Sequence, residues 1–97
     1  MYKPTDEEIA ALKAKHGELH LIKFEDKAAI LKTPSRKIIS YASAAATKDP
    51  MAFNETILKS CFVAGDKEVL EDDKYFMGAS AQVANLIEIK TATLEKL

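Results

Sequence analysis

Two helices with marked ends are predicted between Thr33 and Gly65, and they constrain the fold more than any other feature. Thr33-Pro34 and Asp49-Pro50 each place a capping side chain before a proline, which is typical of a helix amino terminus. Gly65 is predicted to end the second helix in a left-handed conformation. The apolar stripe of that helix consists of Phe53, Ile57, Leu58, Cys61 and Phe62. The first helix adds Ile38, Ile39, Tyr41, Ala42, Ala44, Ala45 and Ala46. Together these residues predict a packing surface and carry no recognisable chemistry.

A short helix and a β-hairpin are predicted upstream of this pair. Thr5 and Glu8 form a capping-box pattern, and the acidic helix that they start is expected to end at Gly17. From residue 18 to residue 32 the apolar residues change to a period of two, with a turn at residues 25–27. Two strands alone are barely stable in water, so one face of the hairpin must pack on helices.

The carboxyl-terminal third is predicted to contain an acidic segment with Val69-Leu70 as its apolar anchor, an aromatic turn and a final helix. Asp72 or Asp73 is expected to cap the turn, Gly78 to break it, and Ser80 to cap the last helix. The turn carries Tyr75, Phe76 and Met77, and the apolar side of the helix is formed by Val83, Leu86, Ile87, Ile89, Leu94 and Leu97. The chain is therefore predicted to be one α+β domain over residues 1–97: a short N-terminal helix, a β-hairpin, then a mainly α-helical bundle of three to four helices.

Size and charge exclude several classes of function. A chain of 97 residues buries roughly 60–65% of its unfolded surface, so its core is modest and contact with a partner would add stability. The net charge is −1 and Arg36 is the only arginine, which argues against nucleic-acid binding. As a recognition helix, the second central helix would present Asn54, Glu55 and Lys59, an unsuitable set for phosphate. The sequence has no signal peptide and no apolar run long enough to span a membrane, which predicts a cytoplasmic protein.

The residues that most often carry chemistry have simpler interpretations here. His16 and His20 have the zinc spacing, but Gly17 separates a helix from a strand between them. The acidic residues of segment 66–73 lack the glycine and the closing glutamate of a calcium loop. Cys61 lies on an apolar stripe, where burial should raise its pKa. No catalytic residue, metal ligand or cofactor is therefore predicted.

Three surfaces remain as candidates for binding a protein: the free hairpin edge, the aromatic turn and the wide apolar side of the last helix. Each is equally well explained as a surface that closes the core. Methionine and aromatic residues on a loosely held segment are typical of adaptable binding surfaces. The predicted partner-binding residues are Tyr75, Phe76, Met77, Leu86 and Ile89.

The order of these elements, together with several short motifs, resembles the small tail assembly chaperones of tailed bacteriophages and prophages. The motifs are LHLIKF at 19–24, TPSRK at 33–37, FNETIL at 53–58, Cys61-Phe62, Gly65-Asp66 and LIEIK at 86–90. The resemblance implies a non-enzymatic protein of the bacterial host cytoplasm. Such a protein binds the tape measure protein and keeps its hydrophobic helices soluble until tail tube subunits polymerise around it.

A chaperone of this kind is expected to expose apolar surface from mobile elements. The segment 69–77 and the last helix are predicted to move relative to the central pair, exposing Phe76, Met77, Leu86 and Ile89. The alternative is a small structural or adaptor protein of a phage or prophage virion that forms a homo-oligomer through the hairpin edge.

Overall fold

The computed structural model describes residues 2–87 and 90–97, and these residues form six helices and one antiparallel sheet of three strands. The predicted α+β class is confirmed. In chain order the elements are α1 (Asp6–His16), β1 (Leu19–Lys23), β2 (Ala28–Lys32), α2 (Arg36–Ala45), α3 (Met51–Cys61), β3 (Phe62–Gly65), α4 (Glu68–Glu71), α5 (Asp73–Ser80) and α6 (Val83–Leu86).

Helix α1 has the ends that the sequence predicts. The Thr5 hydroxyl oxygen accepts a hydrogen bond from the Glu8 backbone N–H at 3.1 Å, and the same hydroxyl donates to the Glu8 carboxylate at 3.2 Å. Gly17 follows the helix with φ +82°. None of the residues of α1 is buried, so local capping specifies this helix more than packing does.

The predicted hairpin is confirmed, and β2 is the centre of a larger sheet. Strands β1 and β2 pair in register from Leu19 opposite Lys32 to Lys23 opposite Ala28. Strand β3 pairs antiparallel with the other side of β2 and was not predicted. Residues 62–65 form a short apolar run, and periodicity alone cannot show whether such a run is a strand or part of a helix. The β2 edge of the hairpin is therefore covered, whereas β1 has no further strand beside it among residues 2–87 and 90–97.

Gly65 ends strand β3, so its predicted role as a helix terminator is wrong. Its φ is +131°, and a Cβ atom there would lie 2.6 Å from the Ala29 Cα and 2.7 Å from the Ala28 carbonyl oxygen. Glycine is needed at this position because the backbone of β3 comes too close to β2 for a side chain.

The starts of the two central helices follow the sequence signals in part. Asp49 caps α3 as predicted, because its carboxylate accepts a hydrogen bond from the Met51 N–H at 3.1 Å, and the helix begins at Met51, one residue after Pro50. The predicted start at Thr33-Pro34 is wrong by two residues. Ser35 caps α2 through a bond from the Ile38 N–H at 3.2 Å, because serine is also a strong capping residue and lies nearer to the helix.

The carboxyl-terminal third differs most from its prediction. Asp72 caps α5 as expected, but α5 continues through Gly78 to Ser80, and α6 is a single turn of four residues. Leu94 and Leu97 lie outside any helix, with relative exposures of 100% and 117%. A long final helix capped by Ser80 is therefore wrong. The β-branched Thr91 and Thr93 weaken helix formation in this segment.

The core lies between one face of the sheet and the helices that surround α3. Helix α3 contacts β2, α2, α4, α5 and α6 and is central to the packing. Val69 is fully buried on α4, which confirms its predicted role as an apolar anchor. The main buried cluster consists of Ala29, Leu31, Ala42, Ile57, Leu58, Cys61, Val69, Ala79, Val83 and Leu86.

Candidate binding surface

An open groove of about 270 Å³ runs between strand β1 and helix α6, and we call it the β1–α6 groove. Strand β1 forms one wall, and α6 with the residue before it forms the other. The floor is apolar and comes from β2, α3 and α5. The lining residues are His20, Leu21, Ile22, Lys23, Leu31, Leu58, Ala79, Gln82, Val83, Asn85 and Leu86.

The β1 wall of this groove is the free edge of the sheet. The Phe24 N–H donates to the Lys27 carbonyl at 2.7 Å. This bond determines which residues of β1 direct their backbone groups toward β2. In an antiparallel pair, alternate residues point their N–H and C=O groups toward the partner strand. The backbone N–H and C=O groups of His20 and Ile22 therefore point toward β2, and those of residues 19, 21 and 23 point outward. An outward row of this kind is a template for pairing with another strand.

The titratable side chains of the groove are His20 and Lys23. The Nε2 atom of His20 lies 2.8 Å from the Thr33 hydroxyl oxygen in a hydrogen bond that joins β1 to the segment before α2. Thr33, predicted as a helix cap, thus holds this imidazole instead. The lining contains no nucleophile beside a general base, the arrangement that covalent catalysis requires. The groove therefore presents a mixed surface, in which polar side chains of His20, Lys23, Gln82 and Asn85 surround an apolar floor.

The turn of the hairpin is fastened to helix α5 next to the groove. The Tyr75 hydroxyl donates to the Asp26 carboxylate at 2.7 Å, and its ring packs edge-on against Phe24 at 5.1 Å between centroids. The Asp26 bond raises the pKa of Tyr75 to about 12, with burial and nearby carboxylates adding to the rise. The Phe24 ring also covers Gly78, where a Cβ would lie 2.8 Å from a ring carbon. Gly78 therefore provides space for Phe24 and does not break the helix.

The predicted binding residues do not form one surface in this structure. Met77 is 56% exposed on α5, and Tyr75 and Phe76 are half-buried, with Phe76 packed on the core. Leu86 is 5% exposed and contributes to both the core and the groove. Ile89 lies outside the described residues. The groove contains the hairpin edge and Leu86 from the prediction, whereas its floor residues Leu31, Leu58 and Ala79 were not predicted because they resemble ordinary core residues.

A second exposed surface lies on α2 and was predicted to be part of the helix packing. Tyr41 is 70% exposed, and it lines a wide, open hollow with Arg36, Lys37, Ser40 and Ala44. Tyr41 is therefore not a core residue, because Ala42, the next residue, is the one that turns inward and is fully buried. The hollow is wider and more open than the β1–α6 groove, and its lining comes from α2 alone.

Cys61 and His16 have the environments that the sequence suggests. Cys61 is fully buried, and this burial raises the pKa of its thiol, an effect that the Lys32 ammonium partly offsets. The raised pKa was predicted. His16 ends α1, whereas His20 is on β1 and bonded to Thr33. Within residues 2–87 and 90–97, no three histidine, cysteine or acidic side chains come together as a metal-binding group.

Comparisons with known proteins add no identification. The chain matches no protein family, no curated protein and no solved structure. Among the helices that the structure describes, none combines the length and the apolar character needed to span a bilayer.

Proposed function

We propose that this chain is a non-enzymatic protein-binding protein of phage tail assembly, a chaperone that binds the tape measure protein and keeps it soluble. The single observation that carries the binding proposal is the β1–α6 groove. It combines an apolar floor with an unpaired strand edge, and both features are used in peptide recognition. The identity of the client comes from the family resemblance described above.

The dimensions of the groove favour contact with a few apolar side chains. Pockets for small-molecule ligands usually enclose about 300–1,000 Å³, and the groove, at about 270 Å³, lies below that range. It accommodates one or two aliphatic side chains of a longer polypeptide. Met77 on the neighbouring helix α5 is more than half exposed and extends the apolar surface, with the adaptable side chain that variable clients require.

Client release requires a contact of modest strength, and the carboxyl-terminal elements are suited to it. Helices α4 and α6 have four residues each and depend on tertiary packing to persist. Opening of segment 69–87 would expose Phe76 and Leu86 to the client. Native-state hydrogen exchange tests this step: faster exchange in 69–87 than in α3 is expected, and equal protection would contradict a mobile binding surface.

Co-expression with a tape measure protein tests the function itself. Asn85 is exposed at the rim of the groove on α6, so Asn85→Arg places a bulky charge over the entrance without changing the core. Ala44→Arg makes the same kind of change on the exposed surface of α2 and serves as the control. We expect Asn85→Arg to reduce the soluble client strongly and Ala44→Arg to leave it unchanged.

The result that would overturn the proposal is a client whose solubility is the same with and without this chain. Circular dichroism of each variant establishes that it is folded. An equal effect of Asn85→Arg and Ala44→Arg would show that the groove is not the client site.

The free edge of β1 also favours a second candidate function, a self-associating structural or adaptor protein of a virion. A closed ring of fixed size in sedimentation supports that function, whereas a monomer or an exchanging oligomer supports the chaperone.

A further inference from the structure

The segment from residue 90 to residue 97 forms neither helix nor strand, and its leucine side chains are exposed to solvent. Leu94 and Leu97 are 100% and 117% exposed, higher than any other large hydrophobic side chain among the described residues. The radius of gyration is 15.0 Å, whereas a compact chain of this length has one of about 12.5 Å. The hydrophobic effect would favour burial of these two leucines against another surface.

The composition of this segment suits a β-strand. Thr91 and Thr93 are β-branched, and Ala92 and Leu94 alternate with them, so a strand would place Ala92 and Leu94 on one face. Eight extended residues span about 26 Å, and the five residues of β1 span about 17 Å. The segment is therefore long enough to pair with the whole free edge of β1.

We infer that residues 90–97 of a second copy of this chain add to β1 as an extra strand and place Leu94 in the β1–α6 groove. The inference rests on the proposed role of the groove as a polypeptide-binding site. The outward N–H and C=O groups of residues 19, 21 and 23 supply the main-chain bonds, and the apolar floor supplies the contact for leucine.

A second copy fits this site better than the same chain does. In the same chain Leu94 is fully exposed, so residues 90–97 lie outside their own groove. A second copy brings its segment to the groove from solvent. Exchange in both directions pairs two segments with two grooves in a closed, symmetric dimer.

The exchange would give the groove an occupant before a client arrives. A client segment of higher affinity displaces the exchanged strand and separates the dimer. The chain would then avoid exposing an apolar groove and an open strand edge while it is free, which limits non-specific association.

Sedimentation over a wide concentration range tests the exchange. The full chain is expected to dimerise reversibly. Leu94→Asp is expected to weaken the dimer by about tenfold or more, because a leucine leaves an apolar site. Thr93→Asp adds the same charge on the opposite face of the strand and is expected to change the dimer much less.

A synthetic peptide with the sequence of residues 90–97, added to the full-length Leu94→Asp variant, tests the site. We expect NMR shifts and slowed amide exchange at residues 19, 21 and 23. Equal effects of Leu94→Asp and Thr93→Asp, or no change at β1 with the peptide, would overturn the inference. A monomer whose β1 amides are protected would also overturn it, since the chain would then occupy its own groove.

Measurements of client solubility and of dimerisation distinguish a failure of this inference from a failure of the proposed function. If Leu94→Asp still keeps the tape measure protein soluble but its dimer is unchanged, the exchange is wrong and the chaperone function stands. If the exchange occurs but the client is never solubilised, the chaperone function is wrong and the exchange stands.

Discussion

The two strands of the hairpin are of equal length and pair with each other, yet they have opposite environments. In β2, four of the five residues are buried, whereas in β1 the residues are half-buried or exposed. Strand β2 has a neighbour on each side, and β1 has one. Strand β2 therefore contributes to the core on which the fold depends, whereas β1 leaves its outer backbone groups and the Leu21 side chain accessible.

The largest effect that tests this comparison is expected for a matched pair of leucines. Leu31 on β2 is 3% exposed and Leu21 on β1 is 53% exposed. Leu31→Ala is expected to lower the free energy of unfolding by about 2–5 kcal/mol, because it leaves a cavity in the core. Leu21→Ala is expected to change it by about 0.5 kcal/mol or less. Urea denaturation measures both, and equal losses would remove the distinction between the strands.

Two glycines give the next largest effect. Gly65→Ala is expected to cost about 1–3 kcal/mol or more, since the positive φ is strained for alanine and the new Cβ clashes with β2. Gly17 precedes β1, also has positive φ, and has no atom within 4 Å of a built Cβ. Gly17→Ala therefore carries the backbone strain alone and is expected to cost less. Thermal melting compares the two, and a reversed order would contradict the close approach of β3 to β2.

The Asp66 carboxylate holds the start of β2 in place. The Asp66 carboxylate accepts hydrogen bonds from the backbone N–H groups of Ala28 at 3.0 Å and Tyr2 at 2.9 Å, and these bonds lower its pKa below the ordinary 3.8. A lowered pKa contributes stability above pH 3.8 that is lost as pH falls through the folded value. Asp66→Asn is expected to flatten this part of the acid-unfolding curve. An unchanged curve would show that the two bonds do not favour the charged form.

The turn after β1 is held by the Tyr75 hydroxyl, and the ionisation of this hydroxyl affects stability at high pH. The pKa of Tyr75 is raised from 10.0 to about 12, so its contribution is complete below pH 10 and is lost as pH rises toward 12. Ultraviolet titration is expected to show one tyrosine that ionises last. Tyr75→Phe should remove that step, and Tyr41→Phe, on exposed α2, should leave it. If the late ionisation step is lost in Tyr41→Phe, the raised pKa belongs to Tyr41 and the prediction for Tyr75 is wrong.

The sequence predicted those parts of the fold that are encoded by neighbouring residues. The Thr5 cap, the two strands of the hairpin, the Asp49 cap and the buried Val69 were all correct, because each depends on contacts close in sequence or on one apolar stripe. Strand β3 was missed because a short apolar run is paired by a distant strand. The one-turn α6 was overestimated because leucine spacing alone suggested a longer helix.

The candidate site was harder to predict than the fold. The groove brings together residues from five elements, β1, β2, α3, α5 and α6, and no local pattern reports their proximity. The free edge was predicted as one of three possibilities. The proposed exchange depends on Leu94, which the helical spacing placed on the apolar side of a long final helix.

The contact of Phe24 with Gly78 and Tyr75 also determines how the molecule can open. Because this ring and the Tyr75–Asp26 bond fasten α5 to the hairpin turn, α5 cannot detach without breaking both contacts. The turn and α5 should then behave as one cooperative unit of local unfolding, with a shared opening rate for their amides. A client that displaces α5 would loosen the far end of the hairpin in the same event, coupling occupancy to the sheet.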